Sequence, residues 1–364
     1  MTLDSAADAC YSQSYNEARR RFMAAAGEAG AQVQSYAVGA GAAKDLYIDV
    51  AALGKPDAPT LVVSSGIHGV EGFFGSAVQL ALLQRLAHAQ QDASLRYVLI
   101  HALNPYGFAQ LRRVNEDNVD LNRNFMLNAG SYAGSPDGYA SLDSFLNPPS
   151  PPSRLEPFKL KAAWTIWRRG MPALKNAVAG GQYQYPRGLF YGGSGPSASA
   201  QIIQQHCDSW LAAAQHILHV DLHTGLGTFE MPTLLLNESA DSPEYAWYAN
   251  TFGPDRIEPL AHPRGTAYQA SGIFGQWIQQ HFASRDYRYL GAEFGTYDVV
   301  RVLAAIRAEN RAHHYCAHND AALIQAKQEL LECFCPASLT WRRAVMQGAL
   351  QIIDRGTAAI SAIR

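Results

Sequence analysis

Hydrophobic and polar positions along this chain of 364 residues alternate between two periods. Short apolar runs rich in Val, Ile, Leu and Tyr predict strands at 46–53 (LYIDVAAL), 60–66 (TLVVSSG), 97–104 (YVLIHALN), 216–222 (HILHVDL), 233–237 (TLLLN) and 289–295 (YLGAEFG). Several are continuous in their apolar character, the pattern of strands buried on both faces. Helical spacing predicts helices over 72–90, 198–213, 242–252, 272–283, 298–315, 319–333 and 338–354. Strands alternating with helices predict an α/β fold: a single domain with a mixed, mainly parallel central sheet and helices on both faces.

One region departs from this rhythm. Residues 126–200 carry NPPSPPSRLEP and YGGSGPSAS around a helical segment at 155–178. Pro, Gly and Ser at this density mark turns and loops, so the region reads as an insertion on the rim of one domain.

Composition narrows the class. Hydrophobic residues make up 48% of the chain, enough for a large core, and the net charge is −2 with a pI near 6.6. That balance gives no reason to expect nucleic acid or a membrane as partner. No apolar run is long enough to span a bilayer, and the N-terminus has no basic-then-apolar leader, so a cytoplasmic location is expected. Five scattered cysteines fit reduced thiols better than a disulfide framework, and the C-x-C of Cys333 and Cys335 has no second pair with which to hold zinc. Neither G-x-G-x-x-G nor G-x-S-x-G occurs in a fitting context, which weakens nucleotide binding and serine hydrolysis. Arginine outnumbers lysine 23 to 6 amid many alanines, a composition pointing to a bacterial source.

The chemistry concentrates at strand ends. SSGIHGVEGFFGSAVQ, residues 64–79, follows a strand with His68 and Glu71 three positions apart among glycines. Chance supplies about 0.4 H-x-x-E pairs in a chain of this composition, so the pair could equally be a glutamate favoured at a helix N-terminus. A third donor is offered by His223 in HILHVDLHTGLGT, just past another strand. Two histidines and a glutamate at adjacent strand ends would leave one position of a zinc ion open. His216 and His219, in the same strand, read as core or edge histidines. NPYGFAQLRRVNEDNVDLNRNF, residues 104–125, holds Arg112, Arg113, Asn115, Asp120, Asn122 and Arg123. It is either a solvated loop or the planar donor set that grips a carboxylate or a developing oxyanion.

HGVE at 68–71, VDLNRNF at 119–125, DLHTG at 221–225, AYQASG at 267–272 and AEFGT at 292–296 follow one another in an order that resembles the zinc carboxypeptidase family. The resemblance spans residues 68–296, and DLNRNF and YQASG are its most specific parts. It implies one Zn²⁺ held by His68, Glu71 and His223, with Glu293 as general base. It further implies that Asn122 and Arg123 bind the substrate's terminal carboxylate, that Tyr268 closes over it, and that Asp120 orients His68. Arg113 most nearly matches the arginine that polarises the scissile carbonyl, with Arg112 adjacent.

Two signals conflict over substrate. DLHTG is similar to the aspartoacylase and succinylglutamate desuccinylase branch, which removes acyl groups from amino acids, whereas YQASG resembles the peptidases. RGLFYGG (187–193) and EFGT resemble a bacterial subgroup of the family. Seven residues past Tyr268 lies Gly275, where the family places the base of its specificity pocket; glycine offers no carboxylate to a basic side chain. The resemblance therefore implies a metallocarboxypeptidase or, alternatively, an N-acyl amino acid deacylase, acting on a peptide or N-acyl amino acid with a free carboxylate. A binding module that had lost catalysis would be expected to lack the base or a metal ligand, and this chain keeps all of them.

Overall fold

The structure, a computed structural model, describes residues 8–39, 41–88, 94–127, 131–153, 155–170, 180–259 and 271–363. Among the described residues, eight strands form one mixed sheet in the order β1-β2-β4-β3-β5-β8-β6-β7. They are β1 (Gln32–Ala37), β2 (Tyr47–Leu53), β3 (Thr60–Ser65), β4 (Arg96–His101), β5 (His216–Thr224), β6 (Pro232–Leu235), β7 (Ile257–Glu258) and β8 (Asp286–Phe294). The central four, β4-β3-β5-β8, run parallel, while β2 joins β4 and β6 joins β8 in antiparallel fashion.

Apolar side chains of the central strands divide by parity between two buried clusters. Leu61, Val63, Leu218 and Val220 face α1 (Tyr15–Glu28), α2 (Gly72–His88) and, after the remaining helices below, the long C-terminal helix Leu339–Ser361. Val62, Val98 and Ile217 face the helices Ala198–Leu211 and Phe274–His281. With successive side chains pointing to opposite faces, burial on both sides requires the unbroken apolar runs seen in the sequence.

Between β4 and the second half lie α3 (Pro105–Ala109), α4 (Tyr139–Leu146), α5 (Phe158–Arg169) and α6 (Ala198–Leu211). The second half adds α7 (Pro243–Phe252), α8 (Phe274–His281), α9 (Val299–Tyr315), α10 (Ala321–Phe334) and α11 (Leu339–Ser361). Within 126–200, α4 and the 189–190 loop share a third apolar cluster with α9, α10 and Val70. Arg307 and Arg311 of α9 clamp this region by bonding Glu156 and the carbonyls of Phe145, Ser150 and Pro151. The end of the 155–178 helix prediction falls outside the described residues, as do the last two positions of the 72–90 prediction.

Chain order places the site. From β3 the chain moves to β4 on one side, then returns past β3 to β5 on the other. Such a reversal leaves a crevice beyond the carboxyl ends of the two strands.

Candidate active site

β3 ends at Ser65, and Gly66 turns the chain with a φ of +67°, a conformation that a side chain would strain. His68 follows in extended backbone, then the 3₁₀ turn Gly69–Glu71 leads into α2. Gly69 is required by close approach, since a methyl there would lie 2.1 Å from the Gly107 carbonyl carbon. The Gly69 and Val70 N–H groups donate to the Arg113 and Arg112 carbonyls at 3.0 and 2.8 Å, which stitches the histidine turn to the arginine loop.

His68, Glu71 and His223 are buried and place one ligand atom each within 4.8 Å of the others. Glu71 lies between the rings, its two oxygens 2.8 Å from His68 Nδ1 and 3.2 Å from His223 Nδ1. The Thr224 N–H also donates to Glu71 Oε2. Burial would raise the Glu71 pKa, but the flanking imidazoles bring it down to about 2. Burial would likewise lower that of His223, yet Asp221 and Glu71 hold it well above its ordinary value. The pocket thus favours positive charge where the three donors meet, and two imidazole nitrogens plus a carboxylate suit a zinc ion. β5 runs two residues further than the sequence predicts, so His223 is a strand residue, in register with Glu293 of β8.

His223 is held by a network that the sequence reading passed over. Its Nε2 donates to Asp221 Oδ2 at 2.8 Å, and Asp221 also accepts from Tyr289 OH at 2.8 Å and Ser64 Oγ at 2.5 Å. The single Ser64 hydroxyl proton goes to Asp221, so Ser64 Oγ accepts from His219 Nε2, 2.7 Å away. His219 Nδ1 then accepts from Tyr287 OH at 2.7 Å. Every proton in this chain has one available direction. It fixes the His223 hydrogen on Nε2 and turns Nδ1 toward Glu71. His219 is the core histidine expected of it, with its polar atoms satisfied; burial lowers its pKa to about 4. Asp221 and His219 were legible as a period-2 polar series with His223 on one face of an apolar strand.

The arginine loop separates into two roles. Arg112 is fully buried and bonds Glu309, Asn118 and Asn310, away from the metal-ligand group. Arg113 turns inward, its Nε donating to Asp120 at 3.0 Å and its Nη2 to His68 Nε2 at 2.6 Å. A guanidinium has only donors, so His68 Nε2 accepts here and the ring proton sits on Nδ1 toward Glu71. Asp120 Oδ1 lies 3.4 Å from the same His68 Nε2. Burial opposes ionisation of Asp120, but Arg113 and His68 hold its pKa well below the carboxylate range. Asn115 caps its own turn by accepting from the Asp117 and Val119 N–H groups.

Glu293 is 7% exposed, and its Oε1 accepts from the Leu226 N–H at 2.8 Å. Burial, then the Glu71 charge, raise its pKa to about 7. Asn122 accepts from the Phe274 N–H at 3.0 Å, which leaves its amide nitrogen as a donor. Arg123 is buried, its guanidinium donating to the Asn122 carbonyl and its methylenes packed where Gly181 leaves room; a methyl at Gly181 would stand 2.6 Å from Arg123 Cδ. Tyr268 lies outside the described residues. Gly275 is a packing glycine: a methyl there would meet the Tyr289 ring at 2.2 Å, so its lack of a carboxylate reflects helix–sheet contact and carries no information about specificity.

The 126–200 region contributes Phe190 of RGLFYGG, to which the sequence assigns no site role. Phe190, at a left-handed φ of +58°, sets its ring 5.4 Å from the Arg113 guanidinium carbon. A second group of potential ligands, Cys207, Asp208 and His281, also converges, but Asp208 and His281 are exposed and bond each other at 2.8 Å. Among the described residues, no helix is long and apolar enough to cross a membrane.

Comparison with known proteins bears on fold and family. Carboxypeptidase A from Helicoverpa armigera superposes with a TM-score of 0.53 at 15% identity, covering 96% of this chain and 74% of that one. Bovine thrombin-activatable fibrinolysis inhibitor, in complex with tick carboxypeptidase inhibitor, gives 0.47 at 13% identity, covering 94% and 98%. An aspartoacylase family protein from Mesorhizobium loti gives 0.39 at 14% identity, covering 80% and 68%. No curated protein matches the sequence. The fold is therefore the carboxypeptidase-like fold that the motif order implied. Residues 11–348 match the family described as "Protein of unknown function (DUF2817)", and the chain belongs to that family.

Proposed function

We propose that this protein is a zinc-dependent hydrolase of the metallocarboxypeptidase type, removing C-terminal residues from peptides. The observation that carries this reading is the convergence of His68, Glu71 and His223 beside a buried glutamate, Glu293, whose pKa is raised to about 7. A zinc ion held by His68, Glu71 and His223 would supply an acidified water and a Lewis acid for the carbonyl. Glu293 takes a proton from the attacking water as its oxygen bonds the carbonyl carbon. It then delivers that proton to the leaving nitrogen as the C–N bond breaks, giving a carboxylic acid and an amine. Arg113 donates to the carbonyl oxygen as negative charge develops there. Asp221 holds His223 from behind, and Asp120 holds the Arg113 guanidinium that donates to His68. The Asn122 amide, with the Arg123 charge behind it, favours a substrate bearing a free carboxylate.

A second reading, an N-acyl amino acid deacylase on the same residues, is favoured by Phe190, whose ring lies beside Arg113 and would limit the acyl side. The two separate on a panel of N-blocked dipeptides and N-acetyl or N-succinyl amino acids offered to zinc-loaded protein. Release of C-terminal amino acids from the dipeptides supports the carboxypeptidase. Turnover confined to the acyl amino acids moves the protein to the deacylase, and turnover of neither overturns both.

A further inference from the structure

A net charge of −2 conceals a local surface of a different kind. Among the described residues, Leu155, Leu160, Trp164 and Trp167 are 92%, 73%, 56% and 82% exposed. Leu160, Trp164 and Trp167 stand at i, i+4 and i+7 on α5, so they form one stripe, with Leu155 just before it. The stripe does not hold the helix in place. Ala162 and Thr165 are buried on the opposite side, and Phe158 stacks on Phe145 with ring centroids 5.4 Å apart. Exposed side chains of this size add up to an apolar surface on the order of 500 Å², above what scattered surface residues leave.

The charges beside the stripe have one sign. Lys159, Lys161 and Arg168 are exposed, and the Arg168 guanidinium carbon lies 5.2 Å from the Trp164 ring. Glu156, the one acid between 155 and 168, is turned toward Arg307 and Arg311 and also pairs with Lys161 at 3.2 Å, which leaves Lys159 and Arg168 as the cations that edge the stripe. An exposed stripe of Trp and Leu edged by cations matches an anionic bilayer: the rings enter the headgroup boundary while the cations meet the phosphates. A second copy of the chain would bring Lys159 and Arg168 against the same cations, which disfavours pairing through this face.

We infer that α5 is a peripheral anchor that docks the protein on anionic phospholipid membranes. The full-length protein, mixed with vesicles of phosphatidylcholine alone or with added phosphatidylglycerol, tests this by flotation and tryptophan emission. The protein should float with the anionic vesicles only, with a blue-shifted emission quenched by brominated lipid. Trp164→Ala with Trp167→Ala should reduce partitioning at least tenfold while circular dichroism and melting temperature stay unchanged. Lys159→Ala and Arg168→Ala should each weaken it about fivefold and flatten its salt dependence. Absence of binding, equal binding to neutral vesicles, or binding indifferent to these substitutions overturns the inference. So does a concentration-dependent oligomer that the double tryptophan variant dissolves, since the stripe would then be an interface between copies of the chain.

Discussion

Replacing Asp221 by Asn removes one negative charge and turns one acceptor oxygen into a donor, with little change in volume. Three donors now point at the two carboxylate oxygens: His223 Nε2 and Tyr289 OH at Oδ2, and Ser64 Oγ at Oδ1. If the new NH₂ faces His223, two N–H groups oppose each other. The ring must then move its proton to Nδ1, the atom directed at Glu71, or lose the contact. If it faces Ser64, the hydroxyl must reverse and oppose the His219 N–H that it now accepts. Either outcome breaks one bond in a fully buried network, costing about 1–3 kcal/mol of folding stability. Loss of a carboxylate that orients a ligand histidine lowers metal affinity about 10–100-fold, or about 1.4–2.7 kcal/mol. Competition of the purified protein against a chromophoric zinc chelator at neutral pH measures that affinity. Urea unfolding of the metal-free variant separates the stability loss from it. A zinc dissociation constant within twofold of the wild type would refute the orienting role of Asp221.

Four further outcomes follow from the same geometry. Arg112→Met leaves Glu309 buried with a weakened partner set and should destabilise the fold by about 3–5 kcal/mol in urea unfolding. Arg113→Lys should leave the fold intact and lower kcat about 100-fold or more in steady-state kinetics. Arg307 and then Arg311 bring the Glu156 pKa from its ordinary 4.5 down to about 2. Its contribution to stability is therefore present above pH ~4.5 and fades as pH falls toward 2. Glu156→Gln should lower stability by about 2 kcal/mol at neutral pH and flatten the melting temperature between those pH values. Glu293 must be ionised to act as a base, so activity rises with pH through its pKa. Burial and Glu71 place that pKa near 7, and a bound cation lowers it. The acid limb of kcat/KM in the zinc-loaded enzyme should thus lie below pH 7, and a limb above 7 would contradict the assignment.

The central strands and the helices beside them were legible because both faces of the sheet are buried, so their apolar runs are long and unbroken. β1 was not, because Gln32–Ala37 is an exposed edge strand of mixed polarity. β7 has two residues, too few to leave a pattern. α1 carries an unread signal, as Ser14 caps it by accepting from the Glu17 N–H in an S-x-x-E spacing. At the site, spacing and the motif order singled out His68, Glu71 and His223, which the fold brings together, but could not rank Arg112 against Arg113. Adjacent residues point in opposite directions, and only tertiary partners decide which faces the crevice. Gly275 misled for a related reason: residue counting gives sequence distance, whereas the space around a glycine belongs to the residue packed on it, here Tyr289. RGLFYGG was legible as a motif, but the Pro- and Gly-rich region around it has no periodicity from which the direction of Phe190 can be inferred.

The most direct test of the account compares the wild type with Glu293→Gln, each loaded with zinc. Zinc content per chain and amino-acid release from an N-blocked dipeptide and an N-acetyl amino acid are measured on the same samples. The account predicts one zinc in both proteins, turnover of one substrate class by the wild type, and no detectable turnover by the variant. Undiminished hydrolysis by the variant, or zinc that stays bound when His68, Glu71 and His223 are replaced by alanine, would contradict it.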